Sequence, residues 1–461
     1  MHVSLKELQA VLTSAQLLNE TLDLHVNGLT TDSRRIHQGN LFLALRGEQF
    51  DAHDFLESVA SSGAAAVVAE HVPDGYKLPA LTVPDTQVAL AEIARHWRRQ
   101  FSIPVIGVTG SNGKTTVKEM IAAILHAYAG ADHYLSTTGN LNNEIGVPLT
   151  VLRLQSQHRC AVIELGMNHP GEIALLTSVA LPTVGLVNNA QREHQEFMQS
   201  VDAVAEENGS VLRALPADGI AVFPADDTYT ALWRSYAAES GQRSVFTFGL
   251  TANSDVRGSY QAHAFGSDIK INIGDEAFLV NLSAAGSHNV LNALAAAACC
   301  HSIGVPNDVI ARGLEAFQPV NGRLQRKTAV NGASIIDDTY NANPDSVRAA
   351  IDVLAQIGGS ALLVLGDMGE VGEDGIAFHE EIGTYARARG IKHMLTMGVL
   401  AQHATSAFGE AAKHFDTIEN LLAALDASIS STSTVLVKGS RFMKMERVVA
   451  HLTQQKTLGN H

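Results

Sequence analysis

The sequence predicts an α/β protein of three units, the second and third built on mostly parallel sheets. Two observations carry this. Short apolar runs alternate with helical stretches through most of the chain, as parallel strands joined by crossover helices require. The alternation begins afresh beyond Gly322, and 461 residues are too many for one hydrophobic core to organise.

The first segment, residues 1–83, mixes helix-like and strand-like stretches and carries the loop TDSRRIHQGNLFLALRGEQFDAHDF. A Pro-containing stretch, LPALTVPDT, closes it. The second, residues 84–320, opens with the helical AEIARHWRRQF and turns strand-like at IPVIGVTG. Further strands are predicted at CAVIELG, TVGLVNNA and GIAVFPADD. In the third, residues 321–461, ASIIDD, ALLVLGD, IKHMLTMG and STVLVKGS alternate with helices such as SVRAAIDVLAQI and IENLLAALDASI. A doubly wound unit of this kind places its ligand residues beyond the carboxyl ends of the strands.

Composition narrows the function. Hydrophobic residues at 46% and charged residues at 17% fit a soluble globular protein. A formal charge of −15 argues against a nucleic-acid binder, so any anionic ligand must rely on a few local cations. Lys114, Arg323, Lys438 and Arg441 each stand beside Gly or Ser. The start, MHVSLKELQA, lacks the apolar run of a secretory signal, and the longest apolar block, Ala293 to Cys300, is too short to cross a bilayer. Cys160, Cys299 and Cys300 are expected to be buried thiols in a reducing cytoplasm.

The stretch GVTGSNGKTT, Gly107 to Thr116, joins a β-branched run to a helical pattern in which Val117, Met120, Ile121, Ile124 and Leu125 share one face. The usual phosphate loop would need Gly at 108, where this chain has Val. The context is nevertheless right: strand, Gly-rich loop and helix start bring backbone N–H groups and a helix dipole to one point. Gly110 and Gly113 permit close approach, Lys114 supplies charge, and the Thr115 hydroxyl is placed for Mg²⁺. The competing reading is a plain turn with a solvated Lys.

Glu164 ends an apolar run, where a carboxylate is costly unless paired or metal-bound. His194 also follows a buried-type strand, though a lone His is more often structural. Asn289 and Asn292 in GSHNVLNALAAAA share a helical face, suited to a purine edge or to capping. Asp337 and Asp338 at a strand end suit ribose hydroxyls, a metal or a capped turn.

In this order the pieces resemble the Mur ligase family of ATP-dependent amide-forming enzymes. Thr109 to Thr115 matches the family loop T-G-[ST]-N-G-K-[ST] at every position, which accounts for the shorter glycine interval. E-x-G at Glu164, the strand-following His194, G-x-H-N-x-x-N-A from Gly286 and G-R at Gly322 agree as well. TDSRRIHQGNLFLALRGEQFDAHDF, TTGNLNNEIGVPLT and DDTYNANPDS are most similar to the members that join D-alanyl-D-alanine to UDP-N-acetylmuramoyl-tripeptide. The D-N-P-[RK] motif of the neighbouring member, which adds the third amino acid, is absent.

The resemblance implies a UDP-sugar domain (1–83), a central ATP domain (84–320) and a C-terminal Rossmann-like domain (321–461) for the dipeptide. It places Ser33, Arg34 and Arg46 near the uridine diphosphate, and Asn140, Asn142 and Asn143 against the muramoyl-peptide. Thr109, Gly110, Ser111, Asn112, Gly113, Lys114, Thr115 and Thr116 would cradle ATP, with Asn289 and Asn292 near the adenine, Asp338 near the ribose and Arg323 near the phosphates. Lys114, Glu164, His194 and Arg323 would be catalytic, and Thr115, Glu164 and His194 would hold Mg²⁺. Candidates for the dipeptide are Asn343, Asp367, His379, Lys438 and Arg441. It further implies a cytoplasmic monomer with no nucleic-acid or membrane partner.

One departure stands out. Many family members carry, about fourteen residues after the strand-end His, a Lys that is carbamylated in several of them to help hold a second Mg²⁺; here the position is Asn208. Glu206 and Glu207 are candidate substitutes, but two solvated acids on a helix face are the better reading. A Mur-type ligase adding another amino acid, or a nucleotide-dependent switch that uses the loop without ligation, are the alternative functions.

Overall fold

The computed structural model describes residues 1–19, 23–47 and 49–454. All eight apolar runs named above form strands, and each lies in one of two large sheets. The central sheet has nine strands, in the spatial order Glu276–Leu282, Gly266–Ile273, Val256–His263, Ser244–Gly249, Ile220–Pro224, Val184–Val187, Val105–Thr109, Cys160–Glu164 and Tyr134–Ser136. Its inner pairings are parallel, so they end together at one edge: Val108 lies opposite Glu164, and Thr109 opposite Val187. That shared carboxyl edge is where a phosphate loop, a strand-end acid and the segment after Val187 can meet.

The helix Lys114–Ala129 packs beneath this edge, and all five residues assigned to its apolar face are buried. Each contributes roughly 1.5–3 kcal/mol relative to leaving it exposed. Beside it run the helices Ser287–Ser302 and Asn307–Ala316. The first is almost entirely Ala and other small residues at its centre, and a Cβ added at Gly313 in the second would lie 2.4 Å from Cα of Ile124. Cys160, Cys299 and Cys300 sit in this core as free, buried thiols.

The C-terminal sheet has six strands, ordered Gln325–Thr328, Ser334–Asp338, Ser433–Lys438, Ser360–Gly366, His393–Met397 and Ala412–Phe415. Only the first pairs antiparallel. Its register sets Asp338 opposite Lys438 at the carboxyl edge. The N-terminal segment forms a five-stranded sheet and a two-stranded one, His2–Ser4 with His25–Asn27. Its apolar side shares one continuous core with the helix Thr86–Arg98 and with one face of the central sheet.

The apolar runs do not announce the antiparallel extension Val256–Leu282, nor the parallel strands Tyr134–Ser136, Ser244–Gly249 and Ala412–Phe415. The first strand of the extension has mostly exposed residues, and the next two alternate buried with more exposed positions. With one face in water, no uninterrupted apolar stretch is needed.

Candidate active site

The phosphate-type loop turns on two glycines in the left-handed half of backbone space, Gly110 (φ +133°) and Gly113 (φ +82°). A Cβ at Gly113 would lie 2.6 Å from Oδ1 of Asn292, and one at Gly110 would lie 2.9 Å from Cβ of Asn188, so space as well as dihedral demands glycine. The loop is braced by the residues that follow Val187. Asn112 N–H donates to Asn189 Oδ1 (2.9 Å), Asn188 Nδ2 donates to Asn112 O (2.8 Å), and Gln191 N–H donates to Ser111 Oγ (2.8 Å). The first-turn N–H groups of the helix that starts at Lys114 have no carbonyl within the helix to bond, and Gly113 to Thr116 line a cavity of about 940 Å³.

Lys114 Nζ bonds the carbonyls of Gly110 and Ser111 and lies 3.2 Å from Glu193 Oε2. Thr115 Oγ1 donates to Glu164 Oε1 at 3.0 Å, and Asn142 Nδ2 donates to the same oxygen at 2.9 Å. Glu164 Oε2 and Glu193 Oε1 are buried with no partner. Two orphaned carboxylate oxygens beside a loop hydroxyl are oxygens of the kind that a hard divalent cation takes as ligands.

Arg323 stacks on the Tyr340 ring (4.2 Å) at the cavity wall. Asn289 and Asn292 also line it, linked in a chain: Asn188 Nδ2 donates to Asn292 Oδ1 (2.9 Å), Asn292 Nδ2 to Asn289 Oδ1 (3.1 Å), and Asn289 Nδ2 to the Ala285 carbonyl (2.7 Å). Asp338 is buried, 2.5 Å from Lys438 Nζ, and its other oxygen accepts from Leu324 N–H. His288 lies on the same wall, and desolvation pushes its ionisation down to about 4, so the ring is neutral near pH 7.

The C-terminal unit closes the far side. His194 Nδ1 lies 2.6 Å from Glu370 Oε2, and that contact holds the Glu370 carboxyl below its ordinary value. His194 (φ +47°) and Glu370 (φ +58°) both occupy left-handed backbone, a conformation that costs a non-glycine residue on the order of 1–3 kcal/mol. Asn343 caps the helix Pro344–Ile357, and its Nδ2 donates to Asn112 Oδ1 (2.9 Å).

The structure therefore gathers Ser111 to Thr116, Asn142, Asn143, Glu164, His194, Asn289, Asn292, Arg323, Asp338 and Asn343 around one cavity. Thr109 and Gly110 lie behind it at the strand end. Ser33, Arg34 and Arg46 do not line it. They sit on the connections of the N-terminal sheet, Ser33 and Arg34 in the 3-10 turn Ser33–Arg35 with Arg34 paired to Asp32, and Arg46 paired with Asp51 and Glu70. Asn140 is exposed, and Asn143 Oδ1 accepts from Gly146 N–H (2.9 Å) just ahead of the helix Gly146–Val151.

Four readings change. Glu207 is neither solvated nor a metal ligand, because its two oxygens accept from Gly171 and Ile173 N–H at the start of the helix Glu172–Ala180. Asn208 is a loop brace, its Oδ1 accepting from Gly110 N–H (3.0 Å) and its carbonyl from Thr109 Oγ1 (3.2 Å). His379 is buried with both ring nitrogens committed, one to Met368 N–H and one to the Gly375 carbonyl. Asp367 takes the amides of Leu400 and Ala401 at the start of the helix Ala401–Phe408. Sequence reasoning also passed over Glu193, Asn188, Asn189 and Gln191; the run of amides after Val187 was the available signal.

This fold and cavity define a nucleotide-dependent ligase class, and the chain belongs to the Mur ligase family. It matches "Mur ligase family, catalytic domain" over residues 25–98, "Mur ligase middle domain" over 108–300 and "Mur ligase, glutamate ligase domain" over 322–441. It is 40% identical over 439 residues to the UDP-N-acetylmuramoyl-tripeptide–D-alanyl-D-alanine ligase of Escherichia coli K12, covering 94% of this chain and 95% of that one. It superposes on the crystal structure of MurF from Acinetobacter baumannii with a TM-score of 0.92 at 33% identity, covering 98% of this chain and 99% of that one. MurF ligase from Thermotoga maritima, solved in complex with ADP, gives 0.82 at 27% identity over 93% and 97% of the two chains.

Proposed function

We propose that this chain uses ATP to join D-alanyl-D-alanine to UDP-N-acetylmuramoyl-tripeptide, the last peptide addition to a peptidoglycan precursor. The observation that carries the reading is the TGSNGKT loop, braced at the sheet edge and facing a cavity whose opposite wall comes from the C-terminal sheet. A ligase needs such a cavity because activation and amide formation involve groups held by different units.

The tripeptide carboxylate attacks the γ-phosphorus of ATP, ADP leaves, and an acyl phosphate forms. The dipeptide amine then attacks the acyl carbon and phosphate departs. Lys114, the first-turn amides and Arg323 are aimed where negative charge spreads in the first step. Mg²⁺ would be held by the orphaned oxygens of Glu164 and Glu193 with the Thr115 hydroxyl, whereas His194, expected as the third ligand, is turned to Glu370; when bound, the ion supplies charge neutralisation for the phosphates. Asn142 ties the loop that would face the muramoyl-peptide to Glu164, and so registers the substrate carboxylate against the nucleotide. Ser33, Arg34 and Arg46 stand for the uridine diphosphate. Of the cations expected to meet the dipeptide carboxylate, Lys438 is buried and committed to Asp338 and the Asn341 carbonyl, which leaves Arg441, exposed and paired at its edge with Glu446 (3.2 Å). We take the enzyme to work as a monomer in the cytoplasm; no described helix is long and apolar enough to cross a membrane.

The test is phosphate release with ATP and UDP-muramoyl-tripeptide, alone and then with D-alanyl-D-alanine. Release coupled to amide formation only with both substrates supports the ligase; none under any condition supports a nucleotide switch. Lys114→Ala is expected to lower turnover by roughly 10²–10³-fold or more without unfolding the chain.

A further inference from the structure

Arg192 lies in the segment that braces the phosphate loop, between Gln191, whose N–H bonds Ser111, and Glu193, which pairs with Lys114. Its own side chain points the other way, into the C-terminal unit. The backbone N–H of Arg192 donates to Asp345 Oδ2 (2.9 Å), and Nη2 donates to Asp345 Oδ1 (2.6 Å). Nη1 reaches Glu381 Oε2 (2.7 Å) and Nη2 reaches Glu381 Oε1 (3.2 Å). The Phe378 ring lies 5.3 Å from the guanidinium carbon, and Arg348 steadies Glu381 from its far side (2.8 Å). Asp345 is in the first turn of the helix Pro344–Ile357 and Glu381 is on the helix Gly375–Ala388, so Arg192 grips two helices of one unit while the residues on either side of it, Gln191 and Glu193, are fixed to the other. All three side chains are about one-quarter to one-third exposed, which makes this a partly desolvated, bidentate pair of contacts rather than a loose surface bridge.

We propose that Arg192 is a positioning residue for ligation: it clasps the C-terminal unit over the phosphate loop, so that the incoming amine meets the activated carboxyl in a cavity closed to water. The proposal rests on the ligase reading above. Without the clasp, the nucleotide site is intact and the acyl phosphate still forms. Water then competes with the amine: its oxygen attacks the acyl carbon, phosphate leaves, and the carboxylate is regenerated. The net result is ATP hydrolysis without an amide bond.

The experiment compares wild type with R192A, R192K, D345N and E381Q, measuring ADP and amide product separately and checking folding by thermal melt. Charge-assisted hydrogen bonds of this kind lead to an expected rise of roughly 10–100-fold in the dipeptide KM of R192A, while the ATP KM stays within about twofold. The ratio of ADP to amide product should rise well above one. R192K, D345N and E381Q should fall between, each having lost part of the grip, and they serve if R192A does not fold. Small-angle scattering of the nucleotide-free protein should show R192A more extended than wild type, a readout independent of substrate. An unchanged ratio and dipeptide KM in R192A, or an equal loss for ATP and dipeptide, would overturn the clasp. Wild type that makes no amide from these substrates would instead overturn the ligase reading and leave the scattering result to judge the clasp.

Discussion

Asn208 shows how far one side chain can redirect a family's chemistry. Its amide oxygen holds the first glycine of the phosphate loop by the N–H, a job that needs no charge and no modification. Turnover of CO₂-depleted enzyme is therefore expected to be unchanged by added bicarbonate, and reactivation would contradict this. Asn208→Ala leaves the Gly110 N–H unpaired in a buried place, which should cost about 1–3 kcal/mol in denaturant unfolding and raise the ATP KM. A second residue-scale effect concerns Asp51 in the N-terminal unit. It accepts from the N–H and ring of His53 and from Arg46, which together hold its carboxyl at about 2, against an ordinary 3.8. A carboxylate depressed on folding contributes stability that is complete above about pH 4 and lost as pH falls through about 2. Thermal melts of the wild type should lose stability across that window, and Asp51→Asn should flatten the dependence.

Among the elements, the helix Lys114–Ala129 is tied to the strand ends on both sides. Lys118, fully buried, donates to the Thr137 carbonyl (2.9 Å); Thr137 Oγ1 accepts from Glu164 N–H (3.0 Å); and Glu164 returns to the helix through Thr115. The loop from Thr137 to Asn143 is thus anchored to the phosphate-loop helix at its start and to Glu164 at its end. Lys118→Met should raise the KM for the UDP-muramoyl substrate more than that for ATP, with a stability loss of about 1–3 kcal/mol from the unpaired carbonyl. These elements also show what the sequence could convey. Buried parallel strands must be apolar throughout, so eight of them were legible, and so was the loop whose glycines are demanded by space; the parallel strands Tyr134–Ser136, Ser244–Gly249 and Ala412–Phe415, with partly exposed residues, were not. The strands Val256–Leu282 were not, because one face is wet. Asn188 to Glu193 were missed because their partners lie 76 residues or more away in the chain, so the run of amides marks a segment that braces something without showing what it braces. Glu207 read as a surface acid because helix spacing cannot show a neighbouring helix start that needs capping.

For the molecule as a whole, the apolar cores do not follow the sheets one for one. One face of the N-terminal sheet shares a large cluster with the lower face of the central sheet and the other carries only a small cluster around Phe42 and Leu56, whereas the C-terminal sheet is covered by two clusters made almost entirely of its own residues. Calorimetry should accordingly show the N-terminal and central units melting together and the C-terminal unit melting separately. A separate transition for residues 1–83 would contradict this. The two groups of cores meet through polar contacts at Arg192, His194 and Asn112, the contacts expected of a boundary that must open and close.

The small-residue helix Ser287–Ser302 has a further role as a gauge. Alanines and cysteines at its centre let it lie close against the neighbouring helix and sheet, and this closeness brings Asn292 to within touching range of Gly113. The span from amide pair to glycine loop is thereby set by the girth of alanine. A leucine in place of any alanine from Ala295 to Ala298 would lengthen the span without touching either end, so the distance from the amides to the loop is calibrated by residues that do not line the cavity.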